Sequence, residues 1–109
     1  MQRFSFDQYE FDSMSSEEAL ELAISSVVQH PTLTEFLTEC GASSRTGSLP
    51  PVNWPNWEWL VRTVRTRTGL ELPPIEECEV HLLSEEWNDV ELAIRMDSVL
   101  LWYHWWTTA

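Results

Sequence analysis

Val90-Glu91-Leu92-Ala93-Ile94-Arg95-Met96, then Asp97-Ser98, then Val99-Leu100-Leu101-Trp102-Tyr103-His104-Trp105-Trp106-Thr107 is the stretch whose reading decides the fold. Its first run sets Val90, Leu92, Ile94 and Met96 against Glu91, Ala93 and Arg95, the period of two that belongs to a strand with one buried side. Asp97-Ser98 reads as a two-residue hairpin turn, and a further strand, Val99 to Thr107, follows. With the turn placed there, Met96 lies opposite Val99, Ile94 opposite Leu101, Leu92 opposite Tyr103 and Val90 opposite Trp105, and these pairs build a core face. The same register puts Arg95 opposite Leu100, Ala93 opposite Trp102 and Glu91 opposite His104 on the other face, with Trp106 beyond. A slip of one residue would exchange the two faces.

Upstream, Cys78, Val80 and Leu82 alternate with Glu77, Glu79 and His81, so another strand precedes the hairpin, joined to it by Ser84-Glu85-Glu86-Trp87-Asn88-Asp89. Before Pro73-Pro74 the period is helical. Trp57, Leu60, Val61 and Val64 share one face behind Pro55 and end at Gly69, while Trp59 falls off that face and is expected to be partly exposed. Thr32-Leu33-Thr34-Glu35 is a capping box, and Leu33, Phe36, Leu37 and Cys40 line one side of a short helix closed by Gly41. Ser15-Ser16-Glu17-Glu18 is a second capping box, and Leu20, Ile24, Val27 and Val28 form a helical stripe, so residues 15–40 read as a helical hairpin. Residues 41–53 form a long loop, and Phe4-Ser5-Phe6, with Tyr9 and Phe11 in the other phase, suggests an edge strand with a bulge or bend. The expected architecture is a single acidic α+β domain over residues 1–109, with N-terminal helices packed on one face of a C-terminal antiparallel meander of three or four strands.

Composition narrows the function. The 109 residues carry a formal charge of −12, seven tryptophans and no lysine. Eight acids oppose Arg3 in residues 1–40, nine oppose Arg95 in residues 71–109, and the middle is mildly basic through Arg45, Arg62, Arg65 and Arg67. Lack of lysine fits either a surface that faces a cationic groove or a genome that favours arginine or is salt-adapted. Direct nucleic-acid binding is disfavoured, because phosphate contacts need clustered Lys or Arg. The longest uncharged apolar run, Val99 to Trp106, is about half the length of a membrane-spanning helix. Asp7 falls where an export signal would need apolar residues, so a cytoplasmic location and no membrane association are expected.

The chemistry of catalysis is thinly represented, and no enzyme, cofactor or metal is expected. Cys40 and Cys78 make no disulfide framework and read as reduced thiols. Cys78 and His81 have C-x-x-H spacing, but an odd separation on a strand sends them to opposite faces. No glycine lies in a phosphate-cradling pattern, and without lysine there is neither a P-loop nor a Schiff base.

The outer face of the meander is the candidate site. Trp102, Trp106 and Leu100 are expected there among Glu77, Glu79, Glu91, Arg95, His81 and His104, and Glu85, Glu86, Trp87 and Asp89 form an acidic loop around one indole. Indoles ringed by carboxylates are the composition of an interaction hot spot with an acidic rim. The competing expectation is that the N-terminal segment or the long loop folds across Trp102 and Trp106 and buries them. The functional expectation is a tryptophan-rich acidic inhibitor that neutralises a basic partner, such as a nuclease or a nucleic-acid-binding defence protein. By type, not by motif, that is how immunity proteins of toxin systems and phage-encoded anti-defence proteins that mimic nucleic acid work. The alternatives are a small enzyme or ligand binder using Glu91, His104 and Trp102, and a structural subunit of an assembly.

Overall fold

The computed structural model describes residues 1–6, 18–42, 48–51 and 53–107. Among these residues, five antiparallel strands form one sheet: β1 (Gln2–Phe6), β2 (Glu18–Ser26), β3 (Glu79–Glu86), β4 (Asp89–Met96) and β5 (Val99–Thr107), in the spatial order β1-β2-β5-β4-β3. The helices α1 (Leu33–Cys40) and α2 (Trp57–Thr68) lie between the N-terminal and C-terminal strands in the chain. The class is α+β, but the order differs from the expectation. Strands come first, and the meander β3-β4-β5 is widened by β2 and β1 on its β5 side.

The β4–β5 register is the one read from the alternation, with Met96 opposite Val99, Ile94 opposite Leu101, Leu92 opposite Tyr103 and Val90 opposite Trp105. Asp97 holds the turn in the left-handed region at φ 55°. β1 is an edge strand as expected, whereas Tyr9, Phe11 and most of the Ser15–Glu18 capping box lie outside the described residues.

The helix expected from Ser15 is corrected to strand β2. Leu20 and Ile24 satisfy both a helical stripe and a period of two, and Leu22, which the stripe leaves out, decides between them. As a strand, Leu20, Leu22 and Ile24 point to one side and Ala23 to the other, and Leu20, Leu22 and Ala23 are fully buried between β1 and β5. Val28, which the helical stripe would have packed inward, is 87% exposed in the turn after β2.

The two helices cover opposite faces, a second departure from helices on one face. On one face Leu60 and Val64 of α2, with Leu72 and Ile75 from the chain that follows, close over Leu22, Leu92, Ile94, Leu101 and Tyr103. On the other, Phe36 and Cys40 of α1 close over Ala23, Leu100 and Trp102. Local signals fix both helices. Thr32 Oγ1 accepts from Glu35 N at 3.2 Å, and Gly41 and Gly69 end the helices at φ 75° and 80°.

A polar clamp anchors α1. The buried His30 ring bonds Ser25 Oγ of β2 through Nδ1 at 2.6 Å and the Glu39 carboxylate of α1 through Nε2. At the far edge, Ser48 exchanges two backbone hydrogen bonds with Leu82, N to O at 2.9 Å and O from N at 2.7 Å, which covers part of the β3 edge. Cys40 and Cys78 are free, and burial pushes both thiols up to about 11.

Candidate binding site

β3 and β4 are longer than their alternation suggested. A bulge between Leu82 and Ser84 restores pairing of Ser84 with Glu91, Glu85 with Val90 and Glu86 with Asp89, so the expected six-residue loop shrinks to a Trp87-Asn88 turn. The bulge spends one extra residue, which lets Leu82 and Leu83 both be buried. Trp87 is 75% exposed at the tip, between Glu86 and Asp89 on neighbouring strands.

On the α2 side of this hairpin, four indoles gather. Trp87 from the turn, Trp105 from β5, Trp59 from α2 and Trp54 from the segment before it line a cavity of about 330 Å³, with Glu86 at its border. Contacts hold three of these walls. Trp54 Nε1 donates to Glu85 Oε2 at 2.6 Å. Trp59 stands nearly perpendicular to both Tyr103 (6.1 Å, 86°) and Trp105 (6.4 Å, 84°), the edge-to-face arrangement that aromatic quadrupoles favour. Trp59 is 42% exposed, in line with its position off the apolar helix face.

The opposite face is more closed than the sequence implied. Trp102 is 3% exposed and Leu100 is fully buried, because Phe36, Leu33 and Leu37 of α1 lie against this part of the sheet. The Arg3 side chain adds a cover, with its guanidinium 5.8 Å from the Trp102 ring centroid and its Nη2 donating to Cys40 O at 3.0 Å. Trp102 as an exposed anchor is therefore corrected. Its Nε1 donates to Glu91 Oε2 at 2.9 Å, and Glu91 is itself buried. Beyond α1 the face opens partly: His104 and Trp106 are half-buried, stack at 4.6 Å between centroids, and His104 Nε2 lies 3.1 Å from Asp89 Oδ2.

The expected site residues thus divide. Glu85, Glu86, Trp87, Asp89, Glu91, Trp102, His104 and Trp106 meet at one end of the sheet, where Glu18 and Glu21 of β2 join them by pairing with Thr107 and His104. Glu79 and Glu77 do not. Glu79 begins β3 opposite Arg95, about 23 Å from the hairpin tip at the rise of an extended strand, and Glu77 ends the short 3-10 turn Ile75–Glu77 before it. Cys78 packs toward the α2-side core while His81 pairs opposite Ala93 on the other face, as the odd spacing requires.

Trp54, Trp59 and Trp105 were not read as site residues. Two signals pointed to them: Trp59 leaves the apolar stripe of its helix, and Trp105 opposes Val90, close to Trp87, in the register itself. Trp54 carried no such signal, since only the folded chain brings it beside Glu85. No known protein family, curated protein or solved structure matches this chain. No helix among the described residues is long and apolar enough to cross a membrane.

Proposed function

We propose that the protein binds a basic partner through the hairpin end of its sheet, and that it acts as an inhibitor of a nucleic-acid-handling protein such as a nuclease. The observation that carries this reading is Trp87, an indole left 75% exposed on a two-residue turn between Glu86 and Asp89. A long loop would lose conformational freedom on docking, whereas a tip held by the β3–β4 ladder is already ordered and keeps more of its contact energy for affinity. Glu85 and Glu86 of β3 and Asp89 of β4 flank that tip, and Glu18 and Glu21 of β2 stand at the same end of the sheet across β5, so carboxylates are available to a cationic cleft that would otherwise meet phosphates. A formal charge of −12 adds long-range attraction to such a cleft.

The partner-binding set is accordingly narrowed to Glu85, Glu86, Trp87, Asp89, His104 and Trp106, with Glu91 and Trp102 supporting them from below. The rival grouping of Glu91, His104 and Trp102 as a catalytic set loses support, because Glu91 and Trp102 are buried and bonded to each other. The test begins with capture from a native lysate by the wild type and by a Trp87→Ala/Glu86→Gln variant, followed by association kinetics with the captured protein. A basic protein lost with the variant, whose association slows steeply as salt rises, is expected at a Debye length of about 8 Å in physiological salt. An association rate indifferent to salt overturns the proposal.

A further inference from the structure

The geometry points to a second, separable capability: we infer that the four-tryptophan cavity is a binding site for a quaternary, N-methylated ammonium group. This inference stands on the cavity and does not depend on the basic-partner reading.

Its walls are Trp54, Trp59, Trp87 and Trp105, and its volume of about 330 Å³ is near the lower end of the ~300–1,000 Å³ of ligand pockets, which suits a small head group. Hydrophobic collapse would be the ordinary fate of four neighbouring indoles. Here Trp54 is held by its bond to Glu85, and Trp59 and Trp105 meet edge to face at 84° and not stacked, so their ring planes form a corner. Indole is the side chain whose ring face attracts a cation most strongly, and Glu86 supplies a formal negative charge at the border. Polar groups on the lining are few.

That scarcity selects the ligand. A guanidinium brings five N–H donors and a primary ammonium three, and against indole walls most would lose their water without gaining an acceptor. Glu86 and Asn56 carry the side-chain acceptors on the lining, since an indole N–H only donates. A trimethylammonium group has no N–H to leave unsatisfied. Its charge is spread over methyl groups that themselves gain by leaving water for an apolar wall. The same head group occurs on free choline-like molecules and on trimethylated lysine side chains, and the cavity as described accepts either.

The experiment is a fluorescence and calorimetric titration of the full chain with choline, with its uncharged isostere in which carbon replaces the nitrogen, and with guanidinium. Saturable binding of choline is expected, with the isostere and guanidinium each about tenfold weaker. Glu86→Gln is expected to weaken choline binding several-fold, and Trp87→Ala, which removes a largely exposed wall, to weaken it at least as much in a chain with unchanged unfolding midpoint. Equal affinity for choline and the isostere would make the cavity merely apolar and overturn the inference, as would choline binding unaffected by Trp87→Ala or no saturable binding at all. A peptide carrying trimethyllysine serves as the second arm. Binding about tenfold tighter than choline assigns the head group to a protein chain, and equal binding assigns it to a free molecule. Trp87 and Glu86 serve both readings, so the separation rests on the wild type: a wild-type chain that captures a basic protein but does not bind choline overturns this inference alone, and one that binds choline but captures no basic protein overturns the other alone.

Discussion

The indole N–H of Trp102 donates to Glu91 Oε2 at 2.9 Å across the β4–β5 pair, beneath α1. Trp102 opposes Ala93, whose small side chain leaves room for the diagonal contact with the carboxylate two positions away. The buried carboxylate is therefore an acceptor built into the sheet face. Glu91→Ala is expected to cost about 1–3 kcal/mol in urea unfolding, because it leaves a buried donor without an acceptor. Glu91→Gln keeps a carbonyl oxygen in reach and is expected to recover a large part of that loss. Equal losses in the two variants would assign the effect to the charge and not to the hydrogen bond.

Tyr103 presents the opposite case on the other face. Its hydroxyl is buried with no hydrogen-bond partner among the described residues, and burial raises the pKa of the phenol far above its ordinary value. The ring packs in the centre of the α2-side core and supports Trp59 edge to face at 6.1 Å. Tyr103→Phe removes the unsatisfied group and keeps the ring, so it is expected to be neutral or to stabilise by about 1 kcal/mol. A destabilisation of that size in equilibrium unfolding would show that the hydroxyl has a partner after all.

These two residues also mark how far the sequence could be read. Alternation alone sets Tyr103 and Trp102 on opposite faces, and the structure has this register because a one-residue slip would put Glu91 and Arg95 into the core in place of Leu92 and Ile94. β2 reads as a helix in the sequence because Leu20 and Ile24 fit both a helix and a strand, and the hydrogen bonding that chooses between them comes from β1 and β5, which lie outside the local stretch. The burial of Trp102 was legible only as one of two outcomes, since an amphipathic face does not say which side of a sheet its helix will cover. The hairpin acids and Trp87 were legible because they are neighbours in the chain. The four-indole cavity was not, because Trp54 and Trp59 meet Trp87 and Trp105 only through the packing of α2.

The clamp around His30 gives a pH dependence with a defined sign. The hydrogen bond from His30 is the main reason the Glu39 carboxyl titrates below its ordinary value of 4.5, against an opposing effect of burial, with the charge of His30 adding to the lowering. A carboxyl whose folded pKa lies below its unfolded one contributes stability at pH above the ordinary value, and that contribution is lost as the pH falls through the lowered one. Glu39→Gln is therefore expected to be less stable than wild type at neutral pH, with the gap closing as acid protonates Glu39. Urea midpoints of the two proteins measured across the acid range check this. A gap that stays constant into strong acid would mean that packing, not the ionised carboxylate, holds α1 to β2.

The β4–β5 turn offers a test of what sets the register on which both faces depend. Asp97 is the one non-glycine residue with positive φ among those described, at 55°. Left-handed backbone costs an L-residue about 1–2 kcal/mol, eased for Asp by its short polar side chain, while glycine adopts it freely but loses more chain entropy on folding. Those opposing terms leave Asp97→Gly an expected net gain of about 0.5 kcal/mol. Asp97→Val, which meets the steric cost without polar relief, is expected to lose at least 1 kcal/mol. Because the turn only closes a ladder whose register the Leu92–Tyr103 and Ile94–Leu101 pairs already specify, both variants are expected to keep the same strand pairing. Cross-strand NMR contacts between Ile94 and Leu101 report this directly, and a shifted pairing in Asp97→Val would show that the turn, and not the alternation of the two strands, dictates which indoles reach the surface.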